Sequence, residues 1–160
     1  MKTLVVFYSL GGNTEFVAEI LAKKLQADIV KLETVKPFPN EGFKKYVIGG
    51  MTTVFKMKPK LANRGLDLAA YDNIVLGTPV WAGSYASPLH TFIRRNENKG
   101  KKIAIFLCSG GDDVEKCFAK LKNELPGNSF AGEIDFIEPL SKDKNEVAKK
   151  AVSWAGTLGL

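Results

Sequence analysis

The sequence predicts an α/β domain built on a parallel five-stranded sheet with helices on both faces. Five apolar runs rich in β-branched residues recur along the chain, and their spacing leaves room for a helix after each. Three of them, LVVFY (4–8), NIVLGT (73–78) and KIAIFLC (102–108), are nearly all apolar, as central strands covered on both faces must be. With 160 residues, 45% of them apolar, the chain has the size of one domain around a substantial core, spanning residues 1–160.

Each element has its own justification. The first strand, at 4–8, leads into a helix over 13–25, where Phe16, Val17, Ile20, Leu21 and Leu25 share one face and Glu15, Glu19, Lys23 and Lys24 the other. DIVKLE (28–33) alternates, as a flanking or edge strand does. The third strand, at 73–78, precedes a helix over 87–98, whose first turn suits Pro88. The fourth, at 102–108, precedes a helix over 112–123. EIDFIE (133–138) alternates again, and a last helix over 142–156 carries Val147, Ala151 and Trp154 at helical steps.

One connection is too long for a simple crossover. About forty residues separate the second and third strands, including PFPNEGFKKYVIGGMTTVFKMKPKL. Phe43, Val47, Gly50, Val54 and Met57 fall on one helical face, although Gly49 and Gly50 weaken a helix there. The stretch reads either as a packed, kinked helix or as a flap over a ligand.

Composition removes several classes of function. The opening MKTLVVFYSLGG is too short an apolar run for a signal-peptide core or a membrane span, which suggests a soluble, cytoplasmic protein with no membrane partner. Cys108 and Cys117 have no CxxC or Cys/His set around them, and His90 is the single histidine, so a structural zinc site lacks ligands. The formal net charge of +6 favours an anionic partner, yet lysines occur as scattered pairs such as Lys23-Lys24 and Lys101-Lys102. That distribution suits solvated faces better than a nucleic-acid patch.

In an open parallel sheet, ligands collect where strand C-termini meet helix N-termini. Three segments converge there. SLGGNT (9–14) combines glycines for a tight turn, outward N–H groups at a helix start and the hydroxyls of Ser9 and Thr14, a set that suits a phosphate or simply caps a helix. It is neither a Walker loop nor a GxGxxG fingerprint. GTPVWAGSYASPLHTF (77–92) places Trp81 and Tyr85 between small residues, fit either to meet a planar ring or to pack Trp81 beneath the next helix. CSGGDD (108–113) frees the backbone for close approach, with Asp112 or Asp113 able to cap the following helix. A phosphatase Cys at this position would need an Arg at 114, which is Val, and Cys108 has no evident base, so a buried or loop-lining thiol is the better reading.

A strand ending in YSxxGNT, then TPVWAG, then CSGG, resembles the flavodoxin-like family, in particular its short FMN-binding members, over roughly residues 2–157. The resemblance implies a three-layer, doubly wound sandwich with strand order 2-1-3-4-5 and one FMN held non-covalently at strand C-termini. It implies that Ser9, Leu10, Gly11, Gly12, Asn13 and Thr14 bind the phosphate. Thr78, Pro79, Val80, Trp81, Ala82 and Gly83 would line the ring, with Ser109, Gly110 and Gly111 on its other side. Relative to many members, Gly11 replaces a hydroxyl, Ala82 stands where Gly is common after the Trp, the third loop lacks a stacking Tyr, and the chain is basic. The implied function is electron transfer through the flavin, with a redox partner protein. The rival is an NAD(P)H-dependent FMN oxidoreductase acting on quinones or similar small acceptors. A phosphate-responsive receiver domain would need acidic residues where Tyr8-Ser9 and Gly77-Thr78 stand.

Overall fold

The computed structural model describes residues 1–38, 58–63, 65–96, 99–111 and 114–160. Strands β1 (Thr3–Phe7), β2 (Asp28–Lys31), β3 (Asn73–Trp81), β4 (Ser84–Tyr85), β5 (Lys102–Ser109) and β6 (Ser129–Ile137) are joined by helices α1 (Asn13–Leu25), α2 (Ser87–Arg95), α3 (Val114–Asn123) and α4 (Lys144–Thr157). The parallel strands run in the order β2-β1-β3-β5-β6, which is the expected 2-1-3-4-5, while β4 folds back antiparallel on β3. The stretch around 43–57, read either as a kinked helix or as a flap, and the capping role of Asp112 or Asp113 lie outside the described residues.

Strand alternation divides the apolar residues between two cores. Leu4, Val6, Ile74, Leu76, Ile103 and Ile105 face one way and meet Leu89 and Phe92 of α2 and Phe118 and Leu121 of α3. Val5, Phe7, Val75, Ala104 and Phe106 face the other way, under Val17 and Leu21 of α1 and Val147 and Ala151 of α4. Each fully buried aliphatic side chain contributes roughly 1.5–3 kcal/mol, so both faces of the central strands stabilise the three layers. The flanking strand β2 is largely exposed and β6 is exposed or half-buried everywhere but at Phe136, as their alternating sequences anticipated.

One glycine is dictated by that packing. Gly77 lies opposite Phe106 in the β3–β5 register, and a Cβ there would overlap the Phe106 ring. The small residue lets a large side chain cross the strand.

Element ends depart from expectation for local reasons. Strand β3 runs three residues further, to Trp81, because Ala82 (φ 47°) and Gly83 (φ 70°) form a two-residue turn that returns as β4. Positive φ at both turn residues matches the right-handed twist of a hairpin. Strand β2 stops at Lys31, where the Asn63 side chain takes over by donating to the Lys31 carbonyl at 2.9 Å and accepting from the Glu33 N–H at 2.7 Å. Strand β6 begins at Ser129 rather than 133, through a stretch whose Ala131 and Gly132 mask the apolar pattern. Helix α2 ends at Arg95, with Asn96 donating its side-chain N–H to the Phe92 carbonyl at 2.8 Å. Among the described residues, no helix is long and apolar enough to cross a membrane.

Candidate functional site

The connection out of β1 leads to α1 on one side of the sheet order, and β3 lies on the other side of β1, so the order switches between β1 and β3. A crevice at their C-terminal ends is the natural ligand position in such a sheet.

At β1's end the chain turns through Gly12, which takes φ 87° as the N-cap of α1 and makes no side-chain cap. The opening N–H groups of the helix therefore have no partner within it and carry the positive end of the helix dipole. Two hydroxyls flank them. Thr14 is 1% exposed, and Ser9 is 8% exposed with its Oγ meeting no hydrogen-bond partner. An orphaned buried hydroxyl costs stability, which ligand oxygens beside it would recover.

The β3–β4 hairpin forms the second wall. Its base is held by Thr78, whose buried Oγ1 accepts from the Ala86 N–H and donates to the Pro79 carbonyl, both at 3.0 Å. Trp81 is 3% exposed and stands edge-on to two rings, Tyr8 at 5.8 Å and Phe38 at 5.8 Å between centroids. Burial pushes the Tyr8 phenol up to about 12. On the far side of the hairpin, the Tyr85 hydroxyl and His90 Nδ1 pair at 3.2 Å, at the start of α2.

The third wall follows β5. Ser109 donates its hydroxyl to Asp135 Oδ2 at 2.9 Å and accepts from the Gly111 N–H at 3.3 Å, so its side chain braces the loop. Beneath it, burial pushes the Cys108 thiol up to about 12; a Thr14 hydrogen bond opposes the shift and the charge of Asp135 adds to it. The thiol stays protonated at neutral pH and is no nucleophile, since only the thiolate attacks.

A fourth wall comes from the turn after β6. Glu138 takes φ 42° and its N–H donates to the Ser109 carbonyl at 2.9 Å, while two residues later the Leu140 N–H donates to Asn13 Oδ1 at 2.9 Å. Leu140 also covers Gly12, where a Cβ would lie 3.3 Å from its Cδ1.

Together the walls enclose a cavity of about 180 Å³. Ser9, Leu10, Gly11, Asn13 and Thr14 line it from the first turn, Pro79, Val80 and Trp81 from the hairpin, and Ser109 and Gly110 from the third loop. Gly12, Thr78, Ala82, Gly83 and Gly111 stand behind that lining as turn-formers and braces. Cys108 and Glu138 complete it; the sequence brings CSGGDD (108–113) to this edge with Cys108 as a buried or loop-lining thiol, and gives Glu138 no ligand role. The signal for Glu138 was available, because β6 ends at the same sheet edge as the other parallel strands. A larger cavity of about 280 Å³ lies between β2, the residues Leu61, Asn63, Gly65 and Leu66, and the end of α2, but its Asn63 is already committed to the β2 backbone.

The fold and site thus define a doubly wound α/β protein in which an open helix N-terminus and an aromatic wall share one cavity at the switch in strand order. The flavodoxin family model matches residues 2–147, and the chain belongs to that family. A candidate flavoprotein from Bacteroides eggerthii DSM 20697 is 22% identical, with a TM-score of 0.81 over 99% of this chain and 98% of that one. A flavoprotein from Lactobacillus acidophilus NCFM, solved in complex with FMN, is 22% identical, with a TM-score of 0.71 over 88% of this chain and 96% of that one. Oxidised flavodoxin 2 from Bacillus cereus is 19% identical, with a TM-score of 0.64 over 99% and 97%. At these identities the likeness establishes the fold. Among curated proteins, none matches the chain.

Proposed function

We propose that this protein is a cytoplasmic redox carrier that holds one FMN non-covalently at the open cleft these walls form and passes electrons through it. The observation that carries this reading is the junction of the Ser9–Thr14 turn, with its orphaned Ser9 hydroxyl and free helix-opening N–H groups, with the Trp81 wall in one cavity. Such a turn fits a phosphomonoester, and a wall of Trp81 and small backbone-rich loops fits a planar ring. The FMN complex of the Lactobacillus relative supports the same ligand here.

When bound, FMN supplies the electron chemistry, and the protein supplies binding, orientation and shielding. The α1 N–H groups, Ser9 and Thr14 hold the phosphate by charge-assisted hydrogen bonds. Pro79, Val80 and Trp81 close one side of the ring, and Ser109 and Gly110 present backbone on the other. Cys108 stays a neutral thiol that excludes water from the cavity floor.

The test separates a carrier from an NAD(P)H-dependent reductase. Reoxidation of the FMN-loaded, reduced protein is followed by stopped flow with acidic and basic one-electron acceptor proteins at several ionic strengths. With a net charge of +6, the carrier reacts faster with the acidic acceptor and slows as salt screens the attraction. No preference between acceptors, together with rapid NAD(P)H-driven quinone reduction, would replace the carrier with the reductase.

A further inference from the structure

We infer that Glu138 is a charge filter that limits the anion-binding turn to a ligand of low negative charge. The inference rests on reading that turn as a phosphate site, and it specifies which phosphates the site accepts.

Glu138 is pinned in place. It occupies a left-handed conformation (φ 42°) that side-chain-bearing residues avoid, and three contacts hold the turn around it. Its own N–H donates to the Ser109 carbonyl at 2.9 Å, its carbonyl accepts from the Ser141 N–H at 2.8 Å, and Leu140 is tied to Asn13 at 2.9 Å. The backbone therefore stands between the end of β5 and the start of α1.

Glu138, an exposed residue, stands at the rim of the same cavity as Ser9, Gly11, Asn13 and Thr14. Among the described residues that line this cavity, Glu138 carries the one charged side chain, and no lysine or arginine faces it there. A phosphate in this turn is consequently met by N–H dipoles and hydroxyls, while the carboxylate carried by the pinned Glu138 backbone at the rim opposes each additional negative charge. A phosphomonoester is tolerated at a modest cost. A diphosphate is penalised more, and an uncharged ligand not at all.

The experiment compares wild type with Glu138→Gln, which removes the charge and keeps the shape, and with Glu138→Asp, which keeps the charge. Affinities for riboflavin, FMN, inorganic phosphate and inorganic pyrophosphate are measured by titration at low and high ionic strength, with unfolding midpoints confirming that both variants fold. Glu138→Gln should tighten FMN and phosphate about 3- to 10-fold, as one charge a few ångströms away in a partly solvated site would. Pyrophosphate should tighten further, riboflavin should change less than twofold, and the gains should shrink in high salt. Glu138→Asp should retain the discrimination.

Equal tightening of riboflavin and FMN, or weakening of FMN, would overturn the filter. So would phosphate and pyrophosphate that bind no better to Glu138→Gln, even with FMN bound. If both proteins fail to bind FMN while the phosphate and pyrophosphate gains appear, the FMN reading falls and the filter stands.

Discussion

The Leu140 backbone N–H donates to the Asn13 side-chain oxygen at 2.9 Å, joining the turn after the last strand to the first turn of the first helix. Asn13 thus commits its side-chain oxygen to a neighbouring wall of the cavity, while the phosphate contact that the family resemblance implies for it would fall to its N–H groups. Asn13→Ala should lower stability by about 0.5–1.5 kcal/mol, the usual net value of one hydrogen bond, and weaken FMN by loosening the first turn of α1 that faces its phosphate. Urea unfolding and FMN titration of the variant check this. Unchanged stability and affinity would show that the turn is held by Leu140 packing on Gly12 alone.

Trp81 is the ring nearest the proposed flavin, and Trp154 lies on α4 against the opposite core. FMN should therefore quench mainly Trp81 fluorescence. Trp81→Phe keeps a ring in the cluster with Tyr8 and Phe38 and should abolish most of the quenching. Quenching that persists from Trp154 alone would place the flavin elsewhere.

Burial pushes both thiols, Cys108 and Cys117, from 9.0 up to about 12. In the unfolded chain they ionise near the ordinary value, so above about pH 9 the unfolded state loses protons that the folded state retains. Their stabilising effect is complete below that pH and is lost as pH rises toward 12. Each thiol adds a slope approaching about 1.4 kcal/mol per pH unit in that window. The Cys108→Ser, Cys117→Ser double variant should show a shallower alkaline fall in urea midpoint. It should also remain reducible with FMN bound; loss of redox turnover with flavin retained would reveal a thiol role.

Ala82 holds φ 47° in the hairpin turn, a conformation that Asn and Gly adopt more readily than Ala. Ala82→Asn should raise stability by about 0.5–1 kcal/mol, on the scale of other turn substitutions that suit the local backbone. A fall in the urea midpoint would mean that Ala82 makes a contact the turn geometry does not reveal.

Much of the fold could be read from the chain because its central strands are buried on both faces, which forces long apolar runs such as LVVFY and KIAIFLC. The start of α1 at Asn13 was equally legible, since its apolar face begins just after the Gly pair. The β3–β4 hairpin was not. Its turn is Ala-Gly rather than the usual Asn-Gly or Asp-Gly, and a two-residue strand is too short to show alternation. The site was legible where it depends on turns and rings in sequence order. It was hidden where distant residues meet, as Tyr8 and Phe38 do around Trp81, and as Glu138 does beside Asn13.

The central claim is that the Ser9–Thr14 turn holds the phosphate of a flavin. Parallel titration of the purified protein with FMN and riboflavin, followed by flavin fluorescence, tests it most directly. The account predicts one FMN per chain, clear preference over riboflavin, and loss of roughly 1–3 kcal/mol of FMN affinity in Thr14→Ala with riboflavin little changed. Equal affinity for the two flavins, or no binding of either, would contradict it.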